Sequence, residues 1–166
     1  MNEENIDKKS MRMAESYVSR ALNKLFEAKE HLKKGHYSES ISSSQECIEL
    51  SIKAIFLLLN KNYPRKHEFT EKEFEEILRK TPPELGDSEL PKLYLYSKFW
   101  SHFYTVAKYG LEEIGMGADK LFEKEEAELA LKHAERCNNS ARSIFTTTLS
   151  RLKLAGEENG EKLEIQ

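Results

Sequence analysis

Residues 38–60 read SESISSSQECIELSIKAIFLLLN, from Ser38 to Asn60. Ile41, Gln45, Ile48, Ile52, Ile55 and Leu59 recur at steps of three and four, the period of a helix with one buried stripe. Gln45 is the single polar member. The serine-rich first half is a poor intrinsic helix, so tertiary packing must hold it, and its small side chains would let a neighbour approach closely. The apolar run Ala54–Leu59 is far too short to span a bilayer.

The same period extends outward in both directions. Upstream, Met11, Ala14, Val18, Ala21, Leu25, Ala28 and Leu32 predict a helix from about Ser10 to Lys34. Lys33 and Lys34 suit its C-terminal dipole and Gly35 its cap. Downstream, Pro64 ends the helix that began at Ser38. Thr70 and Glu73 form a capping-box signature ahead of Phe74, Ile77 and Leu78, predicting a short helix over about 71–80. Residues 81–87 (TPPELGD) read as a loop. Leu93, Tyr96, Trp100, Phe103, Ala107 and Ile114 predict one long helix from Pro91 to Ile114, broken by Gly115 and Gly117. Tyr94, Phe99 and Tyr104 widen its stripe into an aromatic face. Ala127, Ala130, Ala134, Cys137, Ala141, Ile144 and Thr148 predict a last helix over about 123–152. The expectation is an all-α protein, an antiparallel up-and-down bundle of four long helices plus one short helix. It forms a single domain over residues 1–154, with residues 155–166 a disordered polar tail.

Composition narrows the classes. The chain has 166 residues, enough for one self-sufficient core, and a third of them are charged. A net charge of −3 supplies no global basic field for nucleic acid, so any such site must be a local patch. The polar start, MNEENIDKKS, does not read as a signal sequence. A cytoplasmic protein with no membrane span is therefore expected, with Cys47 and Cys137 as reduced, buried thiols.

No standard catalytic constellation is present: there is no HExxH, Gly-rich phosphate loop or GxSxG. His133 and Cys137 have metal-ligand spacing, but a zinc site needs a third and fourth ligand, and no second pair is visible. No histidine has a glutamate three residues before it, which excludes a di-metal carboxylate bundle. No metal or cofactor is expected. The informative anomaly is Gln45, Glu49 and Lys53, repeating at i, i+4, i+8 beside the apolar stripe. They form either a solvated salt bridge at the helix flank or a polar line buried in the bundle and able to face a ligand. The aromatic face reads as core packing, with a dimer interface or a stacking platform as the alternative. Six rings, Tyr94, Tyr96, Phe99, Trp100, Phe103 and Tyr104, are too many for one stripe. Lys61, Arg65, Lys66 and His67 form either a local basic patch or an ordinary solvated loop.

With these segments in order, the chain resembles the HEPN domain family. Residues 28–37 (AKEHLKKGHY) resemble its alanine-rich helix and Gly-x-Tyr turn. Residues 45–54 (QECIELSIKA) resemble its Gln-x-x-x-Glu-x-x-x-Lys-Ala core, and 64–67 (PRKH) its Pro-x-x-His turn. Lys108-Tyr109 stands where the family has Arg-Tyr, and Ala127–Phe145 resembles its closing helix. The resemblance spans about residues 12–152. It implies a nucleotide- or RNA-binding bundle that dimerises beside a nucleotidyltransferase-type partner, as in toxin–antitoxin pairs. On it, Gln45, Glu49, Lys53, His67, Lys108 and Tyr109 are the candidate ligand-binding residues. Some members are ribonucleases with an Arg-x(4–6)-His motif. No histidine here has arginine at the fifth to seventh position upstream. The resemblance thus implies a non-catalytic module, the alternatives being a divergent metal-independent ribonuclease using His67 and a purely structural bundle.

Overall fold

The computed structural model describes residues 8–60, 70–81 and 89–158. Among the described residues six α-helices follow one another: α1 (Lys8–Lys33), α2 (Tyr37–Asn60), α3 (Glu71–Lys80), α4 (Leu90–Ser101), α5 (Tyr104–Tyr109) and α6 (Lys124–Glu158). Short 3-10 turns at Glu112–Ile114 and Ala118–Lys120 link α5 to α6. The all-α expectation holds, and buried residues from all six helices join one apolar cluster.

The central element is α2, which packs along both α1 and α6 and also meets α3, α4 and α5. Ser40, Ser43, Ser44, Cys47 and Ser51 are buried beside the isoleucine stripe. The facing stripes are alanine-rich: Ala14, Ala21 and Ala28 on α1, and Ala127, Ala130, Ala134 and Ala141 on α6. Small residues on both sides bring backbones together, and Ser40 Oγ donates to the Ala28 carbonyl at 2.9 Å. The Cys47 thiol lies 3.7 Å from the Ala134 carbonyl. Both cysteines are free and buried. Burial pushes the Cys47 thiol up to about 12 and raises that of Cys137 as well, so neither supplies a thiolate near neutral pH.

The short helix α3 begins at the Thr70 cap. Its hydroxyl accepts from the Glu73 N–H at 3.2 Å, and the Glu73 carboxylate accepts from the Thr70 N–H at 2.7 Å. Phe74 and Ile77 are its buried face.

The long helix expected over 91–114 is instead two helices and a loop. At the first break, the Ser101 hydroxyl and His102 Nδ1 reach the Lys98 carbonyl at 2.9 and 2.7 Å. Side chains that bond a helical carbonyl compete with the backbone ladder, and Phe103 N–H bonds back only three residues, to Trp100. The second break is at Gly110, where φ is +77° and ψ −155°. A Cβ there would lie 2.3 Å from the Met116 carbonyl oxygen. The chain turns so that Leu111 and Met116 exchange backbone hydrogen bonds of 2.8 and 3.1 Å. Ile114 therefore leaves the apolar stripe and stands 68% exposed. At the other end, α6 runs to Glu158, six residues beyond the expected Leu152, so the start of the expected polar tail is helical.

Candidate functional site

The polar line is largely internal. Lys53 Nζ lies 2.6 Å from Glu49 Oε1, and the two side chains are only 16% and 10% exposed. Gln45 is buried, and its Oε1 has no hydrogen-bond partner. The line is thus embedded in packed protein along α2, with Lys53 its most accessible member.

Lys108 and Tyr109 lie elsewhere, on α5. Lys108 Nζ donates to the Tyr104 hydroxyl at 3.1 Å and stands 5.1 Å from the Tyr104 ring centre and 6.0 Å from that of Tyr109. The ammonium pKa is raised, first by the bond to the Tyr104 hydroxyl. Glu46 on α2 adds to this from a distance and also bridges Lys24 of α1 at 3.1 Å. Tyr109 is exposed. It lines an open cleft of about 570 Å³ with Thr105, Val106, Leu111, Glu112 and Ile114. None of Gln45, Glu49 or Lys53 lines that cleft. The candidate residues therefore fall into two groups, the α2 line and the α5 pair. His67, with Lys61, Arg65 and Lys66, lies outside the described residues.

A third cluster was not legible as a set. Tyr96 of α4 stacks on His133 of α6, with ring centres 3.7 Å apart and planes within 10°. Trp100 Nε1 donates to His133 Nδ1 at 3.0 Å, and Arg136 Nη1 donates to the Tyr96 hydroxyl at 2.8 Å. The His133 pKa is lowered, first by desolvation and then by the charges of Arg136 and Lys132. The His133 ring nitrogen serves the Trp100 indole, and its four-residue spacing from the buried Cys137 is incidental, as expected. Among the described residues no group of three or more His, Cys, Asp or Glu side chains is arranged to hold a metal. The only sequence signal for this cluster was Lys132, His133 and Arg136 on one helical flank; the α4 partners come from packing.

These features define an all-α bundle centred on one buried helix, with cations set against tyrosines at its edge. The HEPN domain family model matches residues 14–144. The chain belongs to the HEPN domain family, a group of nucleotide- and RNA-related helical modules. No curated protein and no solved structure matches the chain. Among the described residues no helix is long and apolar enough to cross a membrane.

Proposed function

We propose that the chain is a non-catalytic HEPN module that binds a nucleotide or RNA, acts as a homodimer and pairs with a nucleotidyltransferase-type partner in the cytoplasm. The observation that carries this reading is the Lys108 ammonium, exposed and held against the Tyr104 and Tyr109 rings. A fixed cation beside an accessible ring suits a phosphate next to a base. Glu49 and Lys53 then support the site from within α2, and Gln45, His67, Lys108 and Tyr109 complete the candidate set. Catalysis requires a base and a preorganised cation beside one phosphate. The absence of the Arg-x(4–6)-His spacing argues against that pairing. The dimer reading is supported by Leu95 and Phe99, one turn apart on α4 and both exposed. The structural-bundle alternative is favoured by the mutual neutralisation of Glu49 and Lys53.

The test is a titration with nucleotides and single-stranded RNA, using wild type beside Lys108→Ala and Tyr109→Ala. Weaker binding in both variants is expected. An RNA-cleavage assay should show no more than trace activity, unchanged in His67→Ala. Robust cleavage that disappears in that variant would promote the ribonuclease reading. Absence of any nucleotide or RNA binding would promote the structural one.

A further inference from the structure

We infer that the α4–α6 edge carries a phosphate-binding subsite formed by Lys132, the Nε2–H of His133 and the guanidinium of Arg136, with Tyr96 as its rigid floor. This subsite is separate from Lys108. It rests on the nucleotide- or RNA-binding reading only for the source of the phosphate.

The argument starts with Trp100. An indole N–H can only donate, so His133 Nδ1 must accept at 3.0 Å. A neutral imidazole then carries its proton on Nε2, and protonating Nδ1 would set two N–H groups against each other. The lowered pKa agrees with a ring held neutral. Stacking on Tyr96 fixes the ring plane. The half-buried His133 thus has a donor of known tautomer and fixed direction, for which no described residue is the acceptor.

Two cations flank it. Lys132 and Arg136 are one turn apart on α6, both exposed, and both are close enough to depress the imidazole. Arg136 is held by a neutral phenol, and among the described residues no carboxylate lies within bridging distance of Arg136 or Lys132. The neighbouring carboxylates are committed elsewhere: Glu135 bridges Lys29 at 2.7 Å and Glu128 bridges Lys124 at 3.3 Å. A guanidinium held by one N–H keeps its other donors available. The cluster therefore presents only donors: an imidazole N–H, a guanidinium and an ammonium. A carboxylate offers two oxygens in one plane, whereas the tetrahedral phosphate offers a separate oxygen and more charge for each of the three donors. His133 cannot serve as a general base, because Nδ1 is engaged and Nε2 already holds the proton. The subsite binds and does not cleave.

Trp100 is the only tryptophan of the chain, so its indole N–H resonance and fluorescence report on His133 directly. The full-length protein is titrated at constant ionic strength with inorganic phosphate. Adenosine monophosphate follows, then a short single-stranded RNA with or without a terminal phosphate. Overall binding of the last two is measured in parallel by equilibrium dialysis. A saturable shift of the Trp100 signal with inorganic phosphate is expected. Arg136→Ala should weaken it by about tenfold or more, the scale of one lost charge-assisted contact. Lys132→Ala should weaken it less, and Arg142→Ala, exposed further along α6, should leave it unchanged. A preference for the terminally phosphorylated RNA assigns the subsite to a chain end, and equal response assigns it to the backbone. A silent Trp100, or an equal response in Arg136→Ala, overturns the subsite. If dialysis still shows binding in that case, the proposed function survives without it. A phosphate response with no nucleotide or RNA binding keeps the subsite and defeats that function.

Discussion

The α1–α2–α6 layer and the α4–α5 arm are both helical, but they pack by opposite means. In the layer, the contact residues are Ala, Ser and Cys, and helices approach closely enough for a serine hydroxyl to reach the next backbone at 2.9 Å. In the arm, the contacts are rings: Phe74 against Tyr94, Phe99 and Phe103 against Trp100, and Tyr96 on His133. Small residues bury completely and leave nothing for solvent. Rings can bury one edge and expose the other, as Phe99 does at 51% exposure, although Phe74 and Trp100 are buried. The Lys108 and Arg136 clusters lie on the arm or its border with α6, and Arg20 stands 5.9 Å from the Tyr17 ring centre on α1, while the polar line of α2 is sealed inside.

The contrast can be broken most sharply at the sealed line. Lys53→Ala removes the cation 2.6 Å from Glu49 and should cost about 3 kcal/mol, the lower end for a largely buried pair. Chemical denaturation measures it, and an unchanged midpoint would place the pair in solvent. Replacing both partners by Met should cost clearly less than Lys53→Ala alone, since no charge is then left buried.

Next in size is the backbone of the arm. Gly110→Ala forces a Cβ to within 2.3 Å of a carbonyl oxygen at a φ/ψ reserved for glycine, with an expected cost of about 2 kcal/mol. Gly115 also has positive φ, at +65°, but a Cβ there meets nothing within 4 Å. Gly115→Ala should therefore cost only about 1 kcal/mol, the left-handed penalty alone. Equal costs would mean that the Leu111–Met116 turn yields to the clash.

A smaller effect comes from His133 at the border of the two regions. Its native pKa is lowered below the ordinary 6.5, so below about pH 6.5 the unfolded chain holds more protons than the native one. This contribution to stability is fully present above that pH and is lost as pH falls from about 6.5 through the lowered native value. Thermal unfolding between pH 7.5 and 5.5 should show that decline, and His133→Gln should flatten it. A slope unchanged in the variant would remove His133 as its source.

The smallest change in stability is expected at the exposed rings. Phe99→Ser should cost about 0.5 kcal/mol, the low end for losing the half-exposed ring's edge contacts with Trp100 and Phe103, yet weaken self-association in sedimentation. A large loss of stability would show that Phe99 belongs to the core.

Part of this was legible in order along the chain. The stripes of α1, α2 and α6, the Thr70–Glu73 capping box and the ordered HEPN-like segments all depend on local spacing, which the sequence displays directly. The candidate pair Lys108-Tyr109 was found as a motif, and the Glu49–Lys53 contact follows from a four-residue step on one helix. The break of the long aromatic helix was not legible. Ser101 and His102 carry no distinctive breaking pattern, and Gly110 ends the helix at a φ of +77° that lets Met116 return into the space a Cβ would need. The Tyr96–His133–Arg136 cluster was equally hidden, since its members come from helices 33 or more residues apart.

By itself, then, the sequence determined an all-α bundle and the buried faces of three long helices, because helical periodicity and capping are set by neighbours a few residues away. Only the tertiary structure decided that α2 is enclosed on nearly every side, that the aromatic helix is divided, and which ring each cation meets. Those outcomes depend on how closely Ala and Ser faces approach and where the rings then fit, and such distances are set by the packing of residues far apart in the chain.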